Sequence, residues 1–387
     1  MAWEKFKVEH QRLQLVTQYL KKEHSMTTLC KHFGVSRKTG YKWYNIYLEL
    51  GEKGLVDLNK SPHDPYRLYS KEQIELAVDY KLKHRTYGPK KVLVRMRDLY
   101  PHMKWPCATR LYEIFKDYGL VTDRRIRNRV PATSPLADLN ACNDTWAVDL
   151  KGWFLTGDGK RCEPLTITDC HSRYLISCTH LDKHSVEYVW PIFEQNFLEY
   201  GLPYRVRSDN GPPFGCVGVG RLTRLSVNLI KAGVTPEWIR PGHPEENGRH
   251  ERFHLTLKQE TATPPKLTIL EQIKAMKQFK ENYNFERPHE ALNMKTPGNC
   301  YTKSRRSWNG KLKSPEYDID MQVRKVGQSG CIWLKQKEYY IGQTLTGEYV
   351  GLKQNIDEEL EVFYGPVYLG KLDREKGLDK PKEPRYR

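Results

Sequence analysis

The chain has 387 residues, a formal net charge of +17 and a mean hydropathy of −0.74. At about 150 residues per domain this length accommodates two or three domains, and no run approaches the ~18 consecutive apolar residues that a membrane-spanning helix needs. The nine cysteines are scattered singly with no CxxC pair, which fits reduced thiols in a cytoplasmic protein better than a disulfide framework or a structural zinc site. The opening MAWEKFKVEHQRLQL is charged throughout and has no apolar stretch of the kind a secretory signal carries.

The charge is unevenly spread. Residues 1–143 carry 27 Lys+Arg against 15 Asp+Glu, residues 144–292 carry 19 of each, and residues 293–387 carry 18 against 13. A neutral middle between basic flanks points to a catalytic or packing domain held between segments that grip a polyanion, nucleic acid above all. Lysines that serve only solubility are the competing reading.

In chain order, Leu13, Val16, Tyr19 and Leu20 are spaced as one helix face. A short helix over about 27–33 is predicted to end at Gly34, with Ser36 capping a following helix that begins Arg37-Lys38-Thr39-Gly40-Tyr41-Lys42. This is a helix-turn-helix pattern, in which the second helix offers its first turns to the major groove. Arg37, Lys38, Thr39 and Lys42 are the candidate DNA contacts in a domain spanning residues 1–60. A second three-helix unit is predicted over 66–120: a capped helix from Ser70, another from Gly88-Pro89, and a third that carries Arg110 and ends at Gly119. The stretch 121–143 reads as a linker, in which Arg124, Arg125, Arg127 and Arg129 would track phosphates. A plain solvated connector is the alternative.

From Asn143 the pattern becomes α/β. Short strands are predicted at 145–154, 165–169, 174–178 and 204–208, with helices over 185–200 and 220–232, a strand at 234–238 and a helix from about Asn247. Asp149 interrupts an apolar strand, where a carboxylate is costly unless it is paired or binds metal. Asp209 ends another strand beside Asn210-Gly211, a setting that also suits a simple turn former. Glu251 lies in the helix from Asn247, and Lys258 comes two turns later on nearly the same face. Three acids can cage two Mg²⁺ ions, which activate the attacking oxygen and stabilise the leaving oxygen in phosphodiester chemistry. Lys258 would then contact the phosphate backbone.

The set Trp146-x-x-Asp149, Thr168-Asp169-x-x-Ser172-Arg173, Ser208-Asp209-Asn210-Gly211 and Asn247-Gly248-x-x-Glu251-Arg252-Phe253-His254 resembles the integrase-like core of DDE transposases. Tyr283-Asn284-Phe285-Glu286-Arg287-Pro288-His289-Glu290-Ala291-Leu292, with Thr296-Pro297 just beyond it, resembles the segment that closes this core in bacterial insertion-sequence transposases. The resemblance covers about residues 20–300 and implies an RNase H-like core over 144–298. It also implies that Asp149, Asp209 and Glu251 are the catalytic acids and bind two Mg²⁺ ions, with Mn²⁺ as a possible substitute. Forty-one residues separate Asp209 from Glu251, more than in the retroviral pattern. The excess is assigned to the glycine-rich stretch 215–220, and Glu245 and Glu246 remain lesser candidates for the third ligand. Asp169 reads as a turn cap or a partner of Arg173 rather than a fourth metal ligand. His24, Cys30 and His32 do not form the zinc module of retroviral integrases.

After a basic, turn-rich segment, β runs at regular spacing over 316–372 predict a small β-barrel, and 373–387 reads as a charged, unstructured tail. The fold class expected is therefore multidomain: all-α helix-turn-helix domains, an α/β RNase H-like core and a small C-terminal β-barrel. The function expected is a transposase acting on double-stranded DNA, both the terminal inverted repeats and the target, as a homodimer or larger assembly in the bacterial cytoplasm at the nucleoid. A DNA-binding regulator with a decayed core and a nuclease without strand transfer are the alternatives.

Overall fold

The computed structural model describes residues 8–57, 69–121, 140–240, 248–355, 357–373, 375–381 and 385–386. Arg124, Arg125, Arg127 and Arg129 of the basic linker lie outside the described residues, as do Glu245 and Glu246. The chain divides into two compact units, residues 1–70 and 71–387. Among the described residues no helix is long and apolar enough to cross a membrane.

The first unit is three helices, α1 (Val8–Leu20), α2 (Met26–His32) and α3 (Arg37–Leu50), and then a 3₁₀ turn at Gly51–Leu55. Ser25 and Ser36 cap α2 and α3: each hydroxyl accepts from the backbone N–H three residues on, Thr28 at 3.3 Å and Thr39 at 3.1 Å. These caps satisfy N–H groups that the first helical turn leaves unpaired. Gly34 adopts φ +66° and makes the turn between α2 and α3. Leu15, Val16, Met26, Leu29 and Cys30 form the small core. Arg12 ties it together, lying 3.7 Å over the Trp43 ring while donating to Leu55 O at 2.7 Å and pairing with Asp57 at 2.9 Å.

Gly40 is unfavourable in a helix interior by about 1 kcal/mol against alanine, and packing explains its presence. A Cβ there would stand 2.6 Å from Cys30 Sγ and 2.8 Å from Met26 Sδ. Met26 can bend away, but the short Cys30 side chain cannot. Gly40→Ala is therefore expected to destabilise this unit by about 1 kcal/mol despite its better helix propensity, because overpacking costs ~1–3 kcal/mol. Urea unfolding of residues 1–70 measures it, and a stabilised variant would contradict this packing.

The second unit opens with α4 (Lys71–Lys83), α5 (Pro89–Leu99) and α6 (Ala108–Asp117). Ile74, Ala77, Val78, Val92, Met96, Leu111, Ile114 and Phe115 are among their buried residues. This three-helix bundle is docked on the α/β region C-terminal to it. Arg287 donates to Thr86 Oγ1 at 2.9 Å, pairs with Glu260 and lies 4.9 Å over the Tyr87 ring, and Lys90 pairs with Glu290 at 3.6 Å.

The strands of that region are β1 (Thr145–Leu150), the hairpin β2 (Phe154–Leu155) and β3 (Arg161–Cys162), β4 (Pro164–Asp169), β5 (Leu175–His180), β6 (Arg205–Ser208) and β7 (Thr235–Trp238). They alternate with α7 (Val186–Tyr200), α8 (Arg224–Lys231), α9 (Gly248–Thr261), α10 (Ile269–Glu281) and the short α11 (Pro297–Cys300). The main sheet has the order β5-β4-β1-β6-β7. β1 runs antiparallel to β4, and β4 to β5, whereas β6 and β7 run parallel to β1. This mixed five-stranded sheet with helices on both faces is the RNase H-like core expected. Trp146 and Val148 turn to one face and pack with Val189, Phe193 and Phe197 of α7. The opposite face is covered by α9 and α10, where Phe253, Leu257, Met276 and Phe279 pack on Leu175 and Cys178.

The C-terminal region carries β8 (Gln322–Lys325), β9 (Cys331–Leu334), β10 (Lys337–Tyr340), β11 (Tyr349–Gln354), β12 (Leu360–Tyr364), β13 (Val367–Asp373), β14 (Gly377–Asp379) and β15 (Arg385–Tyr386). The predicted runs all become strands, but the expected small β-barrel does not close among the described residues. One sheet has the order β14-β13-β12-β11-β8 with β15 added on β13, and β9-β10 forms a separate hairpin. The reason is in the core: Val350, Val362, Val367 and Leu369 pack with Val219, Leu222, Ile230 and Trp238 of the α/β region. An apolar face covered by a neighbour need not be covered by closing the sheet on itself. The glycine-rich stretch 215–220 belongs to this junction, since a Cβ on Gly220 would stand 2.6 Å from Leu369. The tail expected to be unstructured supplies β14 and β15, and Trp238 N donates to Tyr386 Oη at 3.4 Å.

Candidate active site

In the parallel pairing of β1 with β6, Thr145 lies opposite Arg205, Trp146 opposite Val206 and Ala147 opposite Arg207. The same register carried two residues further sets Asp149 level with Asp209, just beyond the end of β6. Side chains alternate between faces along a strand. Asp149 therefore shares a face with Thr145 and Ala147, opposite the Trp146 and Val148 core. On the antiparallel side Asp149 pairs with Thr166 of β4.

α9 lies across this face. Its buried residues His250, Phe253, His254, Leu257 and Thr261 recur at the three- and four-residue spacing of one helix stripe. His250 Nε2 and His254 Nε2 each lie 2.7 Å from Thr166 Oγ1, and that hydroxyl donates to Asp149 O at 3.1 Å. His254 Nδ1 is 3.8 Å from Asp149 Oδ2. Glu251, one turn before His254, is exposed beside the buried stripe, and Lys258 is exposed two turns further on. Asp149 and Asp209 thus stand on adjacent strands, with the helix bearing Glu251 laid over the first of them.

The electrostatics of these groups come from burial. Desolvation raises the Asp209 carboxyl above the ordinary aspartate value, and a backbone bond from Gly211 opposes it. Among the described residues, Asp209 Oδ1 is buried with no hydrogen-bond partner. Desolvation drives the His250 imidazole down to about 3 and His254 to about 2, so both are neutral at pH 7. Lys151, two residues beyond Asp149, has its ammonium pushed down by burial and then by the nearby charge of Lys258. That coupling brings Lys258 to the Asp149 end of the sheet. Beneath the site, Arg207 Nε donates to Glu237 Oε2 at 2.6 Å in a buried pair between β6 and β7.

The donor set suits a hard divalent cation, which takes carboxylate oxygens and keeps water ligands. A buried carboxylate oxygen with no partner, as in Asp209, is costly unless a cation or donor faces it. Among the described residues, however, no three His, Cys, Asp or Glu side chains stand close enough together to hold one ion. The three acids are brought to neighbouring elements rather than into a closed cage. Asp169 lies on the other face, opposite Trp146, and caps a turn: its oxygens accept from Asn143 N, Ser172 N and Ser172 Oγ at 2.6–2.8 Å. This matches the turn-cap reading of that residue.

The predicted DNA contacts fall on two helices. Arg37, Lys38 and Lys42 are exposed on the first turns of α3, while the half-buried Thr39 shares its hydroxyl with the Ser36 cap at 2.9 Å. Arg110, on the first turn of α6, pairs with Glu113 within that helix. Sequence reasoning missed Lys151, Thr166, His250 and the contact of His254 with Asp149. The i, i+2 spacing of Asp149 and Lys151 was a usable signal for the first of these. The others depend on which helix crosses which strand.

Residues 11–63 match a helix-turn-helix domain family, and residues 140–244 and 232–297 match integrase core domain families. The insertion element IS407 uncharacterized 31.7 kDa protein of Burkholderia multivorans is 27% identical over 199 residues, 51% of this chain and 69% of that protein. The insertion element IS476 uncharacterized 39.2 kDa protein of Xanthomonas euvesicatoria is 25% identical over 216 residues, 54% of this chain. The chain spans 58% of that second relative. Among solved structures, the catalytic core domain of HTLV-2 integrase in complex with magnesium aligns at 16% identity and a TM-score of 0.34, over 42% of this chain and 99% of that one. The chain thus carries a match to a helix-turn-helix domain family near its N-terminus and matches to integrase core domain families over residues 140–297. Both of these relatives are proteins of insertion elements.

Proposed function

We propose that the chain is a DNA transposase that binds the terminal inverted repeats of its insertion sequence, cleaves the element's 3′ ends and joins them to target DNA. The observation that supports this reading is the parallel register of β1 with β6, which, carried two residues on, sets Asp149 level with Asp209, with the helix that carries Glu251 lying over Thr166 beside Asp149. Asp149, Asp209 and Glu251 would hold the divalent ions. Two Mg²⁺ ions bound there, with Mn²⁺ as a substitute, supply activation of the attacking oxygen and stabilisation of the leaving oxygen.

The remaining work belongs to the chain's own groups. Water attacks the phosphodiester at the element end and frees a 3′-hydroxyl. That hydroxyl then attacks a target phosphodiester in one transesterification, and the displaced target oxygen leaves with the proton balance of an alcohol exchange. Lys258 and Lys151 would neutralise the phosphate. Arg37, Lys38, Thr39 and Lys42 present α3 to the major groove of the repeat, and Arg110 does so from α6. Arg124, Arg125, Arg127 and Arg129 add phosphate contacts between the two helical units and the core. Joining two ends to one target calls for a homodimer or larger assembly on DNA, in a cytoplasmic, nucleoid-associated setting.

End binding tests the division of labour. Deleting residues 1–130 should abolish binding to duplexes that carry the inverted repeats flanking the gene. For a region making about six phosphate contacts, raising salt from about 50 to 200 mM should weaken binding by roughly a thousandfold. A deleted chain that still selects the repeats in a gel-shift titration would contradict this assignment.

A further inference from the structure

The helix α3 has one open face. Arg37, Lys38, Tyr41, Lys42, Asn45 and Glu49 are exposed, whereas Trp43, Tyr44 and Tyr47 pack on the small core and Gly40 abuts Cys30 and Met26. At about 100° per residue, the exposed side chains from Arg37 to Lys42 span an arc of about 140°, and Tyr41 and Asn45 lie inside it, one turn apart. Lys42 stands at one edge, its ammonium 4.8 Å over the Trp43 ring, and Arg37 stands at the other. A helix in the major groove meets a phosphate strand on each side and base edges between them, so the order cation, middle, cation suits that groove. Glu49, one turn beyond Asn45, is acidic and ends the stretch that can face phosphates.

The two middle residues carry base-reading chemistry. Tyr19 of α1 packs edge-on against Tyr41, with ring centroids 6.1 Å apart, and against Tyr44 at 4.9 Å, which holds the exposed Tyr41 ring in place. The exposed Asn45 carboxamide makes no hydrogen bond among the described residues. A carboxamide offers a donor and an acceptor side by side, the pair that matches N7 and N6 of adenine. Thr39 differs: its hydroxyl is committed to the Ser36 cap at 2.9 Å, and it lies about 160° around the axis from Tyr41.

We propose that Asn45 reads an adenine and Tyr41 the methyl group of a neighbouring thymine, with Arg37 and Lys42 on the flanking phosphates. This rests on the reading of α3 as a helix that binds the inverted repeats, and it names the bases that α3 selects. Thr39 then serves by fixing the start of α3 rather than by touching a base.

Selection from a pool of random-sequence duplexes by the full chain, followed by sequencing, tests it. The unsubstituted chain should select a motif that contains an A·T step. Asn45→Ala should lose the preference at one adenine and Tyr41→Ala at an adjoining thymine, each with about a tenfold to hundredfold loss of affinity for the selected duplex. Lys42→Ala should instead weaken binding to every duplex alike and lower its salt dependence. Both substituted side chains are exposed, and alanine is a better helix former than asparagine or tyrosine, so the variants should fold; circular dichroism checks this. An Asn45→Ala chain that selects the same motif with the same stringency would overturn the base assignment and leave α3 as a DNA-binding helix. Binding that is unchanged when Arg37→Ala and Lys42→Ala are combined would overturn the reading of α3 itself.

Discussion

Asp149→Asn, Asp209→Asn and Glu251→Gln should each reduce the joining of element ends to target DNA by about a thousandfold or more, while end binding is unchanged. The size comes from the chemistry. Charge stabilisation by a bound divalent ion is worth several kcal/mol, and each 1.36 kcal/mol is a factor of ten in rate. The separation of effects comes from the architecture. Asp149 and Asp209 lie at the ends of neighbouring strands and Glu251 on the first turn of α9, whereas the exposed cations of α3 belong to a different compact unit. Asparagine and glutamine preserve shape and remove charge, so folding should survive, and circular dichroism of each variant checks this. A gel-based joining assay on labelled ends, run beside gel-shift titrations, reads both quantities. Joining that persists in all three variants would show that these acids are not the catalytic set.

Glu237→Leu should destabilise the second unit by about 3–5 kcal/mol, the cost of leaving one member of a buried pair alone. Arg207 and Glu237 have side-chain exposures of 9% and 7%, and their bond is 2.6 Å long. Among the described residues Arg207 Nη2 is already buried with no hydrogen-bond partner, so the guanidinium has little to fall back on when the carboxylate goes. The double variant Arg207→Met with Glu237→Leu should recover most of the loss, because replacing a whole buried pair with apolar residues is often neutral or stabilising. Thermal unfolding of these two variants beside the unsubstituted chain measures this. Equal destabilisation of the single and double variants would mean that packing volume, not an orphaned charge, sets the cost. The pair matters for function as well, because Arg207 is two residues before Asp209 and clamps β6 to β7 beneath it.

Local pattern made much of this fold readable. The amphipathic spacing of 185–200, the short helix expected over about 27–33 and the Ser36 cap became α7, α2 and α3 within a residue or two. Asp149 stood out because a charge breaks an apolar strand, and the register of β1 with β6 accounts for its pairing with Asp209. What could not be read was set by contacts between elements distant in sequence. The barrel expected at the C terminus is an open sheet, because Val219, Ile230 and Trp238 cover its apolar face. No periodicity announces a cover that lies a hundred residues away. Arg12 stacked on Trp43 and Arg287 stacked on Tyr87 look like ordinary surface cations in sequence. The Thr166, His250 and His254 network exists only because α9 lies across β4.

The most direct measurement is strand transfer by the unsubstituted chain. Two labelled duplexes ending in the inverted repeats are incubated with supercoiled target DNA and Mg²⁺, and the products are resolved by size. The account predicts products in which the 3′ ends of the repeats are covalently joined to target strands, dependent on Mg²⁺ or Mn²⁺. Cleavage of the ends with no joined product would contradict it in favour of a nuclease. Specific binding with neither cleavage nor joining would contradict it in favour of a regulator.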